Sequence, residues 1–510
     1  MKSYLSYWTG NEVKEPALVD FKHFPVRCYF DNDSDELINF HGKDGRINYD
    51  VYRQMLKSLK GMGYNAIDIH DQLGRAEFYR WDSYKKYWNY VGDINHIEKL
   101  IDIIHEEGML VQIPMYLAWA FDPIEESEEC WSRYSQKWSD KWASYMNSTL
   151  GKGDIFLMRP RSPVYDSKYK CTCPACVKKG VGAIMTEAFA VIEKIILQKK
   201  TDAMFICDLY AEGYELWLNG SFKVSEKWLL MVADNGYGKL PPLHDMGKGN
   251  NKWGVYLHAG FWLNHTTQDP HLEPLMESVN KAYKCGATHY VLVNGQSFKN
   301  FILNLEAVMH MIYYGTDFSR KNFISSWSKR LFGVSDENLA HRIDLFIEDI
   351  AEAHRGIAVC PAYLDSTEDL DRGFTATMIN VVYKLIFKIN GTHNEAIPYN
   401  IRKAEAYKIQ FERLLKESQS IELLIEISKR VAWNDQFTFP MMIMCAQLEF
   451  AIVLFEISDG KREKEEAKTA LQSLRLLTET GSDLTFFKEW YLPEKSRRHH
   501  PIPDEDIFTF

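Results

Sequence analysis

Short apolar runs rich in β-branched residues alternate with amphipathic segments from about residue 20 to residue 320. The runs are hydrophobic almost throughout, not only at every second position, which is typical of strands covered on both faces. Each run is therefore predicted to be a β-strand. The eight runs are 26–30, 66–70, 110–116, 155–159, 203–210, 229–235, 254–260 and 289–295.

Segments with helical periodicity lie between most of these runs. The clearest example is an apolar stripe made of Ile97, Leu100, Ile101 and Ile104, and residues 181–200 have a similar pattern. Eight strand–helix units in about 300 residues predict an α/β fold, a (β/α)8 TIM barrel. A doubly wound open sheet is the alternative, because strand counts taken from sequence are error-prone.

Beyond about residue 325 the pattern has a helical period only. Ser335 is a candidate N-cap for a helix whose stripe is Leu339, Ile343, Phe346, Ile347 and Ile350. A second stripe contains Tyr407, Phe411, Leu414 and Leu415. These patterns predict a C-terminal all-α helical bundle packed on the barrel.

The domain organisation follows from this change of pattern. Residues 1–20 are predicted to be a lead-in and residues 21–325 the barrel. The helical bundle is predicted to cover residues 326–492, and the polar, proline-containing segment 493–510 to be an irregular tail.

Polar residues stand at or just after the end of each predicted strand. They are Asp31, His70, Asp71, Tyr116, Arg159, Arg161, Asp208, Glu212, Asp234, Asn235, His258, Asn294 and Gln296. The C-terminal strand ends of a barrel build its active site, so these side chains are expected to converge on one rim.

Three carboxylates on neighbouring strand ends are candidate catalytic groups: Asp208, Glu212 and Asp234. Glycoside hydrolysis needs such a pair, because one carboxyl group protonates the leaving oxygen while the other activates water or attacks the sugar. We predict Glu212 and Asp234 as the acid–base pair, with Asp208 as a further member. The alternative is that these acids pair with Lys or Arg, or cap the next helix.

Further rim residues are predicted to orient a sugar. They are His70, Asp71, Arg159, Tyr210, Asn235, His258, Asn294 and, in the aromatic segment 253–264, Trp262. A guanidinium fork could hold a substrate carboxylate, and an aromatic face could stack on a sugar ring. The alternatives are structural histidines, an ion pair between an arginine and a rim aspartate, and ordinary aromatic core.

Three cysteines follow the fourth predicted strand in the pattern C-x-C-x-x-C: Cys171, Cys173 and Cys176. Three thiolates this close together could hold a structural zinc ion with a fourth ligand from elsewhere. We find no His or Cys at the usual spacing to complete the set. The alternative is a tight loop with free thiols.

Composition narrows the class of function. Of 510 residues, 14% are aromatic and 25% charged, and the net charge is −10. Nucleic-acid binding is not expected, because it needs clustered Lys and Arg. The most apolar stretch, 440–458, contains Gln447 and Glu449 and predicts a buried helix, not a membrane span. No signal-peptide pattern is visible, so a cytoplasmic location is expected. A homodimer is left open.

Several segments resemble glycoside hydrolase family 115, the xylan α-glucuronidases. They are VRCYFDNDSDEL, YAEGYELWLNG, DNGYGKLPPL, GVYLH and KAYKCGATHYVLVNGQSFK, in chain order. The resemblance covers about 300 residues and implies a (β/α)8 barrel followed by a helical bundle. It also implies inverting hydrolysis of glucuronic acid side chains, a carbohydrate substrate and no cofactor.

The chain differs from the pattern of this family at three positions. Gly260, Ser297 and Ile302 stand where the family pattern has acidic residues. These differences keep two alternatives open beside a glycosidase. One is a sugar-binding barrel without catalysis, and the other is a metal-dependent hydrolase that uses Asp31, His70 and His258.

Overall fold

A computed structural model gives the structure of the chain. It describes residues 18, 20–30, 49–70, 94–115, 124–163, 168–236, 238–243, 249–260, 269–295, 298, 301–357 and 401–481. The predicted lead-in and tail lie almost entirely outside these residues, and the domain boundaries stay predictions.

Eight parallel strands close into a barrel in chain order, which confirms the predicted TIM barrel and excludes the open sheet. Closure is made by β1 and β8, which pair in register from Val26 with Tyr290 to Phe30 with Asn294. The strands are β1 Val26–Phe30, β2 Ala66–Asp68, β3 Leu110–Pro114, β4 Ile155–Met158, β5 Met204–Asp208, β6 Trp228–Ala233, β7 Trp253–His258 and β8 Tyr290–Asn294.

Helices follow every strand except β6 in the described residues, which agrees with the helical periodicity between most of the predicted strands. Their inner faces pack on the barrel, so the strands are covered on both sides and read as continuous hydrophobic runs. In this part of the chain the helices are α1 Tyr49–Met62, α2 Ile94–Glu106, α3 Trp131–Asn147, α4 Pro174–Lys179, α5 Val181–Lys199, α6 Glu212–Leu218, α7 Leu272–Cys285 and α8 Ile302–Tyr314.

The C-terminal region is helical, as predicted. It contains α9 Arg320–Phe332, α10 Glu337–Ile357, α11 Ile401–Leu424, α12 Arg430–Trp433, a π-helical turn at Asn434–Thr438, α13 Phe439–Ser458 and α14 Lys464–Gly481. The predicted cap of α10 is wrong by one residue. Asp336 and not Ser335 precedes the helix, and its carboxylate accepts a hydrogen bond from the backbone N–H of Leu339 at 2.7 Å. An N-cap side chain bonds the N–H of the third helical residue, and only Asp336 has that spacing.

The helix α13 and the turns before it form the one stretch in the described chain that is long and apolar enough to cross a membrane. This stretch runs from Ile427 to Ile457, and 78% of its most apolar window is buried inside the structure. Such burial is also what the core helix of a globular protein shows. The predicted buried helix is therefore present.

An aromatic cluster joins the C-terminal helices. Trp433 packs on Phe437 with ring centroids 4.5 Å apart, and Phe332 of α9 lies 5.0 Å from Trp433. Phe346 of α10 adds a contact of 5.6 Å with Phe437. These tilted and edge-to-face contacts between large buried rings fix the relative positions of α9, α10, α12 and the π-helical turn.

A polar network crosses the barrel interior. The side-chain Nε2 of Gln112 on β3 donates to Asp68 on β2 at 2.5 Å, and the Tyr290 hydroxyl on β8 donates to the side-chain Oε1 of Gln112 at 2.5 Å. Because β1 and β2 separate β8 from β3 in the sheet, the second bond spans the inside of the barrel. The Asp68 carboxylate also accepts from the backbone N–H of His70 at 2.7 Å, which ties this network to the rim.

Candidate active site

The candidate site lies at the C-terminal ends of strands β4 to β8. All strands are parallel in a closed barrel, so residues that follow their last positions share one face. Five predicted residues are at or next to these ends: Arg159, Asp208, Asp234, His258 and Asn294, and all five are nearly or fully buried. The sequence prediction that polar strand ends gather on one rim is thus supported by the topology.

Two arginines after β4 pair with two of the predicted catalytic acids after β5. Arg159 Nε donates to Asp208 Oδ2 at 2.6 Å, and Arg161 Nε donates to Glu212 Oε1 at 3.0 Å. Two of the three predicted catalytic acids, Asp208 and Glu212, therefore make the arginine pairs that were the alternative to a catalytic role. The Arg159–Asp208 pair is almost completely buried, since its side chains are 7% and 0% exposed.

The segment after β4 and the segment after β5 pack closely together between these two ion pairs. Pro160 separates the two arginines, and Gly213 follows Glu212. A Cβ atom added to Gly213 would lie 2.6 Å from Cγ of Pro160, so only glycine permits this approach. The close contact fixes the spacing between Arg161 and Glu212.

Tyr210 lies beneath both arginines. The guanidinium carbon of Arg159 is 4.6 Å from the centre of the Tyr210 ring, and that of Arg161 is 5.3 Å away. Cations over an aromatic face are attracted by the ring quadrupole. Tyr210, predicted as a sugar-binding residue, is therefore also a positioning residue for the two guanidinium groups.

Backbone strain is stored directly before Glu212. Ala211 has φ 49° and ψ −124°, a conformation that residues with a Cβ atom rarely adopt. Such strain costs on the order of 1–3 kcal/mol and concentrates at functional sites. The strained residue directly precedes α6, which begins with Glu212. Oε2 of Glu212 is buried and makes no hydrogen bond within the described residues.

Asp234 is held by three hydrogen bonds at the end of β6. Its Oδ2 accepts from the backbone N–H of His258 at 2.7 Å, and its Oδ1 accepts from the backbone N–H of Gly236 at 2.8 Å. Oδ1 also lies 2.5 Å from Nδ1 of the His258 ring. This arrangement orients the imidazole and leaves Nε2 as the ring nitrogen that Asp234 does not engage.

Tyr256 on β7 contacts two of the predicted rim residues, His258 and Asn294. Its ring stacks on His258 with centroids 4.5 Å apart, and its hydroxyl accepts a hydrogen bond from Nδ2 of Asn294 at 2.8 Å. Burial raises the pKa of the Tyr256 hydroxyl well above its usual value. The charge of Arg159 and the hydrogen bond from Asn294 lower this pKa, whereas the charges of Asp208 and Asp234 raise it further. Groups from four strand ends therefore act on one buried hydroxyl.

The carboxyl end of β7 is anchored from the next loop. His271 directs Nδ1 at the Asp269 carbonyl (2.8 Å) and Nε2 at the His258 carbonyl (2.9 Å). Asn304 donates to the carbonyls of Ala259 and Asp269, both at 2.7 Å. Because both ring nitrogens of His271 face carbonyl oxygens, the doubly protonated imidazolium satisfies both contacts.

Of the remaining predicted sugar-binding residues, His70 and Asn235 lie within the described residues and two others do not. The His70 ring packs edge-to-face on Phe30 at 5.0 Å, beside the rim. The side-chain oxygen Oδ1 of Asn235 accepts a hydrogen bond from the backbone N–H of Lys239 at 3.2 Å. Asp71 and Trp262 lie outside the described residues, as does Asp31 of the metal-dependent alternative.

Two residues of these clusters, Tyr256 and Cys130, are not among the residues predicted from the sequence. Tyr256 lies two positions before His258 on the same strand, so alternation along β7 could have found it. The sequence leaves the fourth ligand of the C-x-C-x-x-C segment unidentified, because no His or Cys stands at the usual spacing. Cys130 joins Cys171, Cys173 and Cys176 from a loop that precedes them by about 40 residues, a separation that no local spacing pattern reveals.

Chemically, the rim combines three carboxylates, two guanidinium groups, an oriented imidazole and a buried phenol. Such a set can bind a polar, oxygen-rich substrate and transfer protons to and from it. The two arginines place positive charge directly beside two of the three carboxylates, Asp208 and Glu212.

Comparison with known proteins relates the chain to a family of glycoside hydrolases. The model of glycosyl hydrolase family 115 matches residues 26–355. No curated protein matches the chain. Among solved structures, a family 115 4-O-methyl-α-glucuronidase, BtGH115A, with specificity for decorated arabinogalactans, has a TM-score of 0.63 at 13% identity. The match covers 94% of this chain and 62% of that one.

Two other glycosidases share the fold. One is a family 138 enzyme targeting pectin rhamnogalacturonan II (TM-score 0.50, 8% identity, 95% of this chain and 81% of that one). The other is the family 89 enzyme of Clostridium perfringens in complex with GlcNAc-α-1,4-galactose (TM-score 0.53, 12% identity, 94% and 58%). At these identities the likeness shows the fold, whereas the family model spans the barrel and the first helices behind it. The chain therefore belongs to glycosyl hydrolase family 115.

Proposed function

We infer that the chain is an α-glucuronidase-like exo-glycosidase that acts at the C-terminal mouth of the barrel. The observation that carries this proposal is the layer of paired groups at successive strand ends: Arg159 with Asp208, Arg161 with Glu212, and Asp234 with His258. Family membership and the family 115 4-O-methyl-α-glucuronidase among the structural neighbours support the choice of substrate. The chain spans 62% of that enzyme, so the activity of the whole relative is not assumed for it.

In this proposal Glu212 is the principal proton-transfer group. One of its oxygens is fixed by Arg161, and the other is buried without a hydrogen-bond partner in the described chain. An anchored carboxyl group with one uncommitted oxygen suits proton transfer to a glycosidic oxygen or from water. The strained Ala211 holds Glu212 in that position.

Asp234 acts through His258 in this scheme. Its two oxygens already accept three hydrogen bonds, so its chemical effect is to fix the tautomer and direction of the imidazole. The Asp234–His258 pair then serves as the second proton-transfer unit. Arg159 and Arg161 supply positive charge at the mouth, which suits the carboxylate of a uronic acid.

A matched pair of variants on one helix tests the role of Glu212. Glu212→Gln is compared with Glu215→Gln, because Glu215 lies three residues further along α6 and is exposed. We expect kcat on a glucuronosyl oligosaccharide to fall about 10²–10⁴-fold in Glu212→Gln. Glu215→Gln should keep wild-type activity. Unchanged turnover in Glu212→Gln would end the assignment.

The leaving group separates the two possible tasks of Glu212. If it protonates the leaving oxygen, an aryl glucuronide with an acidic phenol needs little help and loses less activity than the oligosaccharide. If it activates water, both substrates lose activity equally. Neutral aryl glycosides serve as the specificity control, since they lack the carboxylate that the arginines are proposed to bind.

A sugar-binding barrel without catalysis is the second candidate. It is favoured by the engagement of all three predicted acids with arginine or histidine, and by the non-acidic residues Gly260, Ser297 and Ile302. Calorimetry with the same oligosaccharides distinguishes the two functions. Binding with no product after prolonged incubation would favour the binding protein.

A further inference from the structure

Four cysteine side chains meet on the face of the barrel that carries the candidate site, although they come from two separate connections. Cys130 directly precedes α3, after β3, whereas Cys171, Cys173 and Cys176 follow β4. Their four sulfur atoms all lie within 4.8 Å of one another. Each of these cysteines is a free thiol.

The sulfur–sulfur distances match a single tetrahedral ion. With a Zn–S bond of about 2.3 Å, the edge of a regular tetrahedron of thiolates is about 3.8 Å. The distance from Cys130 Sγ to Cys173 Sγ is 3.6 Å, and that to Cys176 Sγ is 3.8 Å. A disulfide needs about 2.0 Å, and an iron–sulfur cluster needs wider spacing because inorganic sulfide separates its cysteines.

The surroundings of the cluster supply hydrogen bonds to sulfur. The Ser132 hydroxyl is 2.9 Å from Cys176 Sγ, and the Tyr169 hydroxyl is 3.3 Å from the same atom. The backbone N–H of Cys176 donates to Cys173 Sγ at 3.4 Å. Four thiolates around a divalent ion carry a net charge of −2, and donors of this kind offset it and orient the ligands.

The two connections are also joined by bonds that do not involve sulfur. The backbone N–H of Trp131 donates to the Tyr169 hydroxyl at 2.9 Å. The backbone N–H of Lys170 donates to both carboxylate oxygens of Glu129, at 3.1 and 3.2 Å. These contacts hold Cys130 opposite the C-x-C-x-x-C segment without involving the sulfur atoms, which favours the proposed arrangement of ligands.

We propose that Cys130, Cys171, Cys173 and Cys176 form a tetrathiolate site for one structural Zn²⁺ ion. The ion cross-links the β3–α3 connection to the β4–α5 connection, the second of which begins with Arg159 and Arg161 at the candidate active site. With four protein ligands the coordination is complete and no position remains for water, so the ion stabilises the rim and takes no part in hydrolysis.

Metal content of the purified full-length chain is the first test. Elemental analysis should give one zinc per wild-type chain after dialysis against metal-free buffer. Cys130→Ser and Cys173→Ser should lower the content to near zero, because serine is a poor zinc ligand. Cys285→Ser is the matched control, since Cys285 is an exposed free thiol at the end of α7, and it should retain one zinc.

Cobalt substitution identifies the ligands without any variant. Wild-type chain in which Co²⁺ replaces zinc should show strong thiolate-to-cobalt charge transfer and the intense visible bands of a tetrahedral tetrathiolate. This measurement keeps the proposal testable if Cys130→Ser does not fold. A wild-type chain that binds neither zinc nor cobalt stoichiometrically, or that carries one iron in place of zinc, would overturn the proposal.

A stability measurement tests the structural role separately from hydrolysis. Removing zinc with a chelator should lower the Tm of the wild-type chain by several degrees and leave Cys130→Ser unchanged, because that variant has no ion to lose. Equal effects of the chelator on both proteins would contradict the proposed cross-link.

Discussion

Asp234→Asn is the substitution whose outcome the structure defines most fully. The carboxylate accepts the backbone N–H groups of His258 and Gly236 on different oxygens, and it also contacts the His258 ring. The side chain of Asp234 is 0% exposed. An asparagine has the same shape but only one acceptor oxygen, so either orientation of its amide directs an NH2 group at a backbone N–H.

The cost follows from that mismatch. A buried N–H group left without an acceptor costs about 1–3 kcal/mol, and the lost negative charge weakens the remaining hydrogen bonds by roughly 1 kcal/mol more. We therefore expect the free energy of unfolding to fall by about 3 kcal/mol. For cooperative unfolding of about 300 barrel residues, at about 2 cal/mol/K per residue, this corresponds to a Tm about 5 °C lower.

Thermal denaturation and steady-state kinetics measure the two consequences of Asp234→Asn separately. Asp202→Asn is the control, because Asp202 is exposed in the turn before β5. Activity should fall about 10²-fold or more, since the imidazole of His258 loses the group that fixes its tautomer. A Tm within 1 °C of wild type would refute the hydrogen-bond reasoning, and a lower Tm with unchanged kcat would refute the role of His258.

Two further predictions concern packing and pH. Gly213→Ala should lower the free energy of unfolding by about 1–3 kcal/mol and reduce activity. The new methyl group meets the rigid ring of Pro160 and displaces the loop that pairs with Glu212. A wild-type free energy of unfolding in urea denaturation would contradict the close contact. Burial lowers the pKa of His271, but hydrogen bonds and the charge of Asp269 outweigh it and raise the pKa above its usual value. Stability from this group is therefore full below the unfolded pKa of about 6.5 and is lost as pH rises through the folded value. The Tm difference between wild type and His271→Gln should shrink from pH 6 to pH 9, whereas exposed His341→Gln should match wild type throughout; a constant difference would show that His271 is neutral when folded.

Much of the barrel could be predicted because its signals are local. The run 26–30 coincides with β1, and the other seven runs differ from the observed strands by a few residues, mainly at their polar ends. Buried parallel strands need continuous hydrophobicity, and that property is visible in five consecutive residues. The polar residues that follow the strands were predictable for the same reason, because strand direction fixes the face on which they emerge.

The partners of those polar residues were not predictable. Asp208 and Glu212 appear in the sequence as acids available for catalysis, and only the closed barrel places Arg159 and Arg161 of the preceding strand against them. Their sequence separation is about 50 residues, so no periodic pattern links them. Alternation along β7 places Tyr256 on the same face as His258, but its hydrogen bond with Asn294 on β8 is visible only in the folded barrel.

The sequence alone determined where the strands lie, the helical periods and the polar residues at the strand ends, since each is a pattern among residues that are close together in the chain. The tertiary structure decided which acid is paired, which imidazole is oriented and that Cys130 completes a set of four thiols. These are contacts between segments brought together by closure of the sheet. Their energies depend on distances that a linear pattern does not contain.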